Sequence, residues 1–337
     1  MITSIIPRYE RTFSLKRQFH FWMGKEYKAM KSNEFLLNHA RSGIVLSLRS
    51  CLPNGGKVGM MAYNCKSVVD SIVASGCSPI FIDVTKDLML NLDDLKTKSK
   101  SMECIIVTNL LGIQNDIFAI QSICPNIPII IDNAQGYALP PQGDFTVYSI
   151  NQGKYPSLGD GGILYCNNCN YISTIQSMYD EIPDYTSREQ MNLYLRLLKY
   201  VFYSNLGTSI LTRKIINKYS GMIPKVFYSN FWGHSKDSYQ CSNIKIKKMC
   251  KGIARIYRDW IDEHKNQKLK VKYMDIVHTN SPKETIKKYL NKGIETGILF
   301  KNWMSWATKY GYKIGDCPIS EYIISHIVML PNYYKYK

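Results

Sequence analysis

Long apolar runs are missing from this chain. No stretch approaches the ~18 apolar residues that a membrane-spanning helix needs, so no such span is expected. The first 25 residues, MITSIIPRYERTFSLKRQFHFWMGK, lack an apolar core followed by a small-residue cleavage site. A secretory leader is therefore not expected, and the cytoplasm is the expected location. Three nucleotide and hydrolase signatures are also missing. There is no G-x-x-x-x-G-K-[ST], no G-x-G-x-x-G after the first strand and no G-x-S-x-G, which argues against a P-loop, a dinucleotide fold and a nucleophile elbow. Acidic residues are few, 26 Asp+Glu against 43 Lys+Arg, for a formal charge of +17.

Ten cysteines are present, but they are spread along the chain and several lie inside apolar runs, as buried thiols do. Cys166-Asn-Asn-Cys169 is the only C-x-x-C, and no second pair of Cys or His ligands is spaced to complete a zinc site. No metal is expected. The positive charge is uneven. Residues 1–200 carry 19 Lys+Arg against 17 Asp+Glu, whereas residues 201–337 carry 24 against 9. A basic half suits an anionic substrate, an acidic surface or nucleic acid. No nucleic-acid motif accompanies the lysines, and a solvated lysine-rich surface is the favoured reading.

What is present is enough for a core. The 337 residues are 45% hydrophobic and 20% charged, a length and composition that suit one large α/β domain followed by a smaller one. After an irregular basic lead-in over 1–35, a helix is expected across Gly43–Leu48. Strands and helices then alternate: strands at Lys57–Ala62, Pro79–Val84, Cys104–Leu110, Ile127–Asp132, Phe145–Ile150 and Gly162–Cys166, with helices at Ser67–Ser75, Asn91–Lys98 and Ile117–Ile123. Runs such as Ile-Pro-Ile-Ile-Ile-Asp are continuously apolar and β-branched, as in parallel strands covered on both faces. Further helices are expected at Gln190–Val201, 240–265, Lys283–Lys292 and from Ser320, with a strand near Lys270–Val277. The large domain is placed at 1–235 and the small C-terminal α+β domain at 236–337.

In a doubly wound sheet the ligand lies beyond the carboxyl ends of the strands. Asp83, Asn109, Asp132 and Asn151 all fall at such ends. The densest stretch is 127–162, where one buried strand ends in Asp132, the next ends in Ser149, Lys154 follows five residues later, and Gly159-Asp160-Gly161-Gly162 forms a tight turn. A lysine and a carboxylate at neighbouring strand ends suit pyridoxal phosphate. The amine can take the aldehyde as a Schiff base, and the acid can keep the ring nitrogen protonated. Taken singly, an acid at a strand end and a lysine in a loop are as well read as a cap and a surface charge.

This stretch resembles the core of the DegT/StrS family of nucleotide-sugar aminotransferases, pyridoxal-phosphate enzymes of the aspartate-aminotransferase fold (fold type I). Asp132-Asn-Ala-Gln135, Ser149-Ile-Asn-Gln-Gly-Lys154 and Gly159-Asp-Gly-Gly162 follow the family's D-x-A-Q, S-x-x-x-x-K and G-E-G-G. His39-Ala-Arg-Ser-Gly-Ile-Val-Leu resembles its phosphate-cradling helix start, and Tyr63-Asn64-Cys65 its aromatic loop. The resemblance implies a large domain with a mainly parallel sheet. It implies that Lys154 is the Schiff-base lysine and proton carrier, that Asp132 meets the pyridinium, and that Gln135 lies near the phenolic oxygen. Ser149 and the amides of Arg41 and Ser42 would hold the phosphate, with Cys65 on the ring face and Asn151 near substrate. A homodimer, a nucleotide-sugar substrate, glutamate as amino donor, and a place in surface-polysaccharide (O-antigen, lipopolysaccharide) synthesis follow from the same likeness. Three departures stand out: Cys65 replaces the usual aromatic, Asn151 replaces a frequent His, and no G-Y-N-x-R loop is found. They keep two other readings open, namely another reaction on the same fold, such as a dehydratase, and a non-catalytic basic binding protein. Retention of Lys154 argues against the dehydratases of the family, which carry His there.

Overall fold

The computed structural model describes residues 31–136, 139–151, 154, 161–184, 186, 188, 191, 195, 274–292, 294 and 296–331. Seven strands form one sheet: β1 (Glu34–Leu37), β2 (Lys57–Met61), β3 (Ser78–Ile82), β4 (Cys104–Thr108), β5 (Ile129–Asn133), β6 (Phe145–Ser149) and β7 (Gly162–Cys166). Their spatial order is β1-β7-β6-β5-β4-β2-β3. The run β6-β5-β4-β2-β3 is parallel throughout, and β7 alone runs antiparallel to both its neighbours. This bears out the mainly parallel α/β sheet expected of fold type I.

The central strands β4, β5, β6 and β7 are buried along their whole length. That explains their unbroken apolar sequences. Ile130 and Ile131 are fully buried, each removal from water stabilising the fold by about 1.5–3 kcal/mol. The helices are α1 (Ala40–Cys51), α2 (Lys66–Ala74), α3 (Leu92–Lys98), α4 (Ile117–Ile123) and α5 (Ile172–Asp180). Asn91 caps α3 by accepting from the N–H groups of Asp93 and Asp94, and Asp116 caps α4 by accepting from Ala119. Helix α1 lies on β6 and β7 so closely that a Cβ at Gly43 would stand 2.9 Å from Val147 Cγ1.

A second, two-stranded antiparallel sheet pairs β8 (Met274–His278) with β9 (Ile327–Pro331), accompanied by α6 (Pro282–Asn291), α7 (Trp303–Ala307) and α8 (Pro318–Ile323). This C-terminal layer covers the β3 edge of the large sheet. Pro79, which has no N–H to donate, sits in that edge strand, where its ladder position costs least. Phe81 packs against Trp306 and Tyr312, Tyr310 donates to Asp70, and Tyr63 donates to the Leu299 carbonyl.

Four elements depart from the expectations. The lead-in does not run irregularly to 35, because Glu34–Leu37 form β1 against β7. Four residues are too few to show a period, and only the partner strand defines them. Helices α5 and α7 and strand β9 were likewise not anticipated. The helices at Gln190–Val201 (Met191 and Leu195 apart) and 240–265, and the domain boundary at 235, lie outside the described residues.

Candidate active site

The carboxyl ends of the parallel strands meet along one edge. Thr108 pairs with Asp132, and Asp132 with Val147, so these three side chains share a face by the two-residue alternation of a strand. Ser149, two residues beyond Val147, shares it too. Val147 also faces Gly43, so this is the face that α1 covers. At the same edge the chain re-enters the sheet through Gly161 and Gly162. Gly161 has φ +121°, open to glycine alone, and its N–H donates to the Asn38 carbonyl at 2.9 Å. A Cβ on Gly162 would stand 2.2 Å from the His39 carbonyl carbon and 2.3 Å from the Ala40 nitrogen. The last glycine of the Gly-Asp-Gly-Gly motif thus exists to let β7 pass the first turn of α1.

Asp132 is 4% exposed. Its Oδ1 accepts from the Ala134 N–H at 2.9 Å and its Oδ2 from the Thr108 hydroxyl at 3.4 Å. Burial pushes its pKa above the ordinary carboxylate range, opposed by the Ala134 N–H, the Lys154 ammonium and the Thr108 hydroxyl. The Lys154 charge therefore acts on the Asp132 carboxylate through space. Lys154 is half-buried, and its N–H donates to the Asn151 carbonyl at 3.1 Å in a turn closing the loop after β6.

The other predicted residues fall around this pair. Ser149 is buried, and its hydroxyl accepts from the Asn151 N–H at 3.5 Å. Ser42 lies in the first turn of α1, fully buried, its hydroxyl on Asn38 Oδ1 at 2.9 Å. Arg41 precedes it, half-buried, in a first turn that contains no acidic residue. Cys65 is the N-cap residue of α2, and its N–H donates to Asn64 Oδ1 at 2.7 Å. Gln135 is buried, and its Oε1 accepts from the Leu111 N–H at 2.9 Å, pinning a turn in which Leu111 has φ +56°. Part of that side chain is thus committed to the loop after β4.

His39, Asn64 and Thr108 were not singled out by sequence as site residues. His39 gives α1 no side-chain cap; its Nδ1 instead meets Asn151 Nδ2 at 2.6 Å. With the amide donating, the imidazole proton lies on Nε2. The helix-start motif contained the signal for His39, but nothing local could show that it reaches Asn151, 112 residues away. Asn109, placed by sequence at a strand end, is absorbed in a buried amide network with Asn115 and Asn133. Cys166 directs its thiol to the Asn168 carbonyl, and burial pushes it up to about 12, while Cys169 is exposed.

A buried acid, a lysine acting on it, a serine and the start of a 12-residue helix at one sheet edge suit a phosphorylated pyridine aldehyde. The helix start favours an anion, the acid a protonated ring nitrogen, and the amine an aldehyde. Sheet order and site together suit a fold type I pyridoxal-phosphate enzyme.

The comparisons make this specific. Residues 27–185 match the model of the DegT/DnrJ/EryC1/StrS aminotransferase family. Over these residues the chain is similar to that family of pyridoxal-phosphate-dependent aminotransferases. No curated protein matches the chain. Among solved structures, Spr1654 from Streptococcus pneumoniae in its PMP form aligns with TM-score 0.63 and 15% identity, over 100% of this chain and 94% of that one. The sugar aminotransferase CalS13 from Micromonospora echinospora aligns with TM-score 0.62 and 14% identity, over 98% and 94%. A DegT/DnrJ/EryC1/StrS aminotransferase from Brucella abortus aligns with TM-score 0.57 and 15% identity, over 94% and 83%. At such identities the likeness is one of fold.

Proposed function

We propose that the protein transfers an amino group from glutamate to a keto carbon of a nucleotide-linked sugar, as a cytoplasmic homodimer serving surface-polysaccharide synthesis. The observation that carries this reading is the buried Asp132 carboxylate acted on by Lys154 at the carboxyl edge of the sheet. Lys154 would hold the cofactor through its Nζ and move the proton between donor or acceptor carbon and cofactor. Asp132 would face the ring nitrogen. Ser149 and the first-turn amides of Arg41 and Ser42 would bind the phosphate, Cys65 would pack on the ring, and Gln135 would approach the ring oxygen. When bound, the cofactor supplies an electron sink for the carbanion formed as the proton leaves. Asn151, tied to His39, would stand on the substrate side. The basic surplus of residues 201–337 suits a diphosphate-bearing sugar.

The test is the donor half-reaction. Holoprotein incubated with glutamate is expected to release 2-oxoglutarate and lose the absorbance of the aldehyde form. The amine-form protein is then expected to aminate a nucleotide-linked keto sugar. No half-reaction with any amino donor would contradict the reading. A second reading is a non-sugar acceptor, favoured by Asn151 in place of the usual His; a fold neighbour at TM-score 0.60 is named 3-amino-5-hydroxybenzoic acid synthase. Offering cyclic ketones that are not sugars to the amine-form protein separates the two.

A further inference from the structure

Three hydrogen bonds run in series from the loop after β2 to Asp132. The Cys65 N–H donates to Asn64 Oδ1 at 2.7 Å, Asn64 Nδ2 to Thr108 Oγ1 at 2.8 Å, and the Thr108 hydroxyl to Asp132 Oδ2 at 3.4 Å. Asn64, Thr108 and Asp132 are 1%, 3% and 4% exposed, so bulk water does not compete for these groups. The series can run only one way. A backbone N–H can only donate, so the Asn64 atom facing Cys65 must be the oxygen. The other end of the amide is then NH2, which can only donate, and Thr108 must receive it with a lone pair. The single hydroxyl proton of Thr108 is left for Asp132.

From this geometry we propose that Asn64 and Thr108 are positioning residues that present a fixed donor to Asp132 and so hold it as a carboxylate aimed at the cofactor ring. The proposal rests on the role given to Asp132 above. The series starts at the backbone of Cys65, the residue placed on the ring face, so the two contacts with the ring are joined through one buried line of hydrogen bonds. The other groups acting on Asp132 are the Ala134 N–H and the Lys154 ammonium, while α1, packed on this face, brings His39 and Arg41 to the same edge. None of these depends on Asn64. Thr108→Val, neutral and isosteric, therefore isolates the last bond of the series, and changes at Asn64 test its direction.

The test compares the holoprotein with Thr108→Val, Thr108→Ser, Asn64→Ala and Asn64→Asp, reading cofactor dissociation and the pH titration of the bound cofactor's visible band. Thr108→Val is expected to weaken cofactor binding about tenfold, the order of one hydrogen bond to a charged group, and to shift the titration. Thr108→Ser is expected to restore both. Asn64→Asp must cost more than Asn64→Ala. An Asp there presents an acceptor to Thr108, draws its proton away from Asp132 and turns a lone pair toward the carboxylate. Thermal melts identify any variant that has simply failed to fold; where that is Thr108→Val, Asn64→Asp against Asn64→Ala carries the test. If Asp132→Asn changes binding and titration while Thr108→Val and Asn64→Asp match wild type, the series plays no such part. Equal effects of Asn64→Asp and Asn64→Ala would overturn the one-way argument. If Asp132→Asn itself matches wild type in both readouts, the reading of Asp132 fails instead.

Discussion

Asp83 and Asp132 occupy equivalent places in the sheet and do different work. Each stands at the carboxyl end of a parallel strand, and they are 3% and 4% exposed. Asp83 is saturated by protein donors. Its oxygens accept from the N–H groups of Ile319 at 2.9 Å and Ser320 at 2.7 Å, from the Ser320 hydroxyl at 2.6 Å and from the Val84 N–H at 2.9 Å. It caps the first turn of α8 from a distant strand, fastening the C-terminal layer to β3. Among the described residues Asp132 has only the Ala134 N–H and the longer Thr108 contact as hydrogen-bond donors, and burial pushes its pKa up. A strand-end acid whose donors all come from the protein is a fastening. One left short of donors in a buried place is suited to a partner that arrives from outside.

Exchanging each acid for its amide should separate the two roles. Asp132→Asn is expected to lower turnover by roughly 10²- to 5 × 10³-fold, since removing one partner of a buried ionic contact costs about 3–5 kcal/mol. Its unfolding midpoint should not fall. Asp83→Asn should lose about 1.5–3 kcal/mol of stability, because an amide cannot accept all the bonds the carboxylate takes, with the cofactor spectrum kept. Urea unfolding beside steady-state assays measures both. A Asp83→Asn protein of unchanged stability would break the contrast.

A smaller effect is expected where β7 passes the first turn of α1. Gly162→Ala drives a methyl into the backbone of His39 and Ala40, atoms that cannot swing aside. The expected cost is about 1–3 kcal/mol, with weaker phosphate binding alongside, read by denaturation and by cofactor titration. The smallest effect concerns pH. The native carboxyl of Asp132 holds its proton to higher pH than the unfolded one, whose ordinary value is 3.8. Over that interval the native state binds more protons, so this group's contribution to stability falls as pH rises. Cofactor-free Asp132→Asn should therefore gain on cofactor-free wild type as pH is raised from about 4. Melts of both proteins across that range would show parallel curves if Asp132 were not perturbed.

The same contrast shows what could be read from sequence. The buried strands were legible because apolar β-branched runs have few other uses, and the helices at Asn91–Lys98 and Ile117–Ile123 because their caps are local. Asp132 and Lys154 were picked out by the motifs of one segment that resemble the DegT/StrS family. Asp83 looked like the same kind of residue, since its partners, Ile319 and Ser320, lie 236 and 237 residues away. Strand β1, the contact between His39 and Asn151, and the line from Asn64 through Thr108 to Asp132 are also tertiary. Each needs a partner placed by the folded sheet, and no local pattern carries that information.

The covalent partner of the cofactor decides the role proposed for Lys154. Borohydride reduction of the holoprotein, followed by peptide mapping, should leave the pyridoxyl group on Lys154, and Lys154→Arg should take up none. A label on any other lysine, or undiminished labelling of Lys154→Arg, would contradict the assignment.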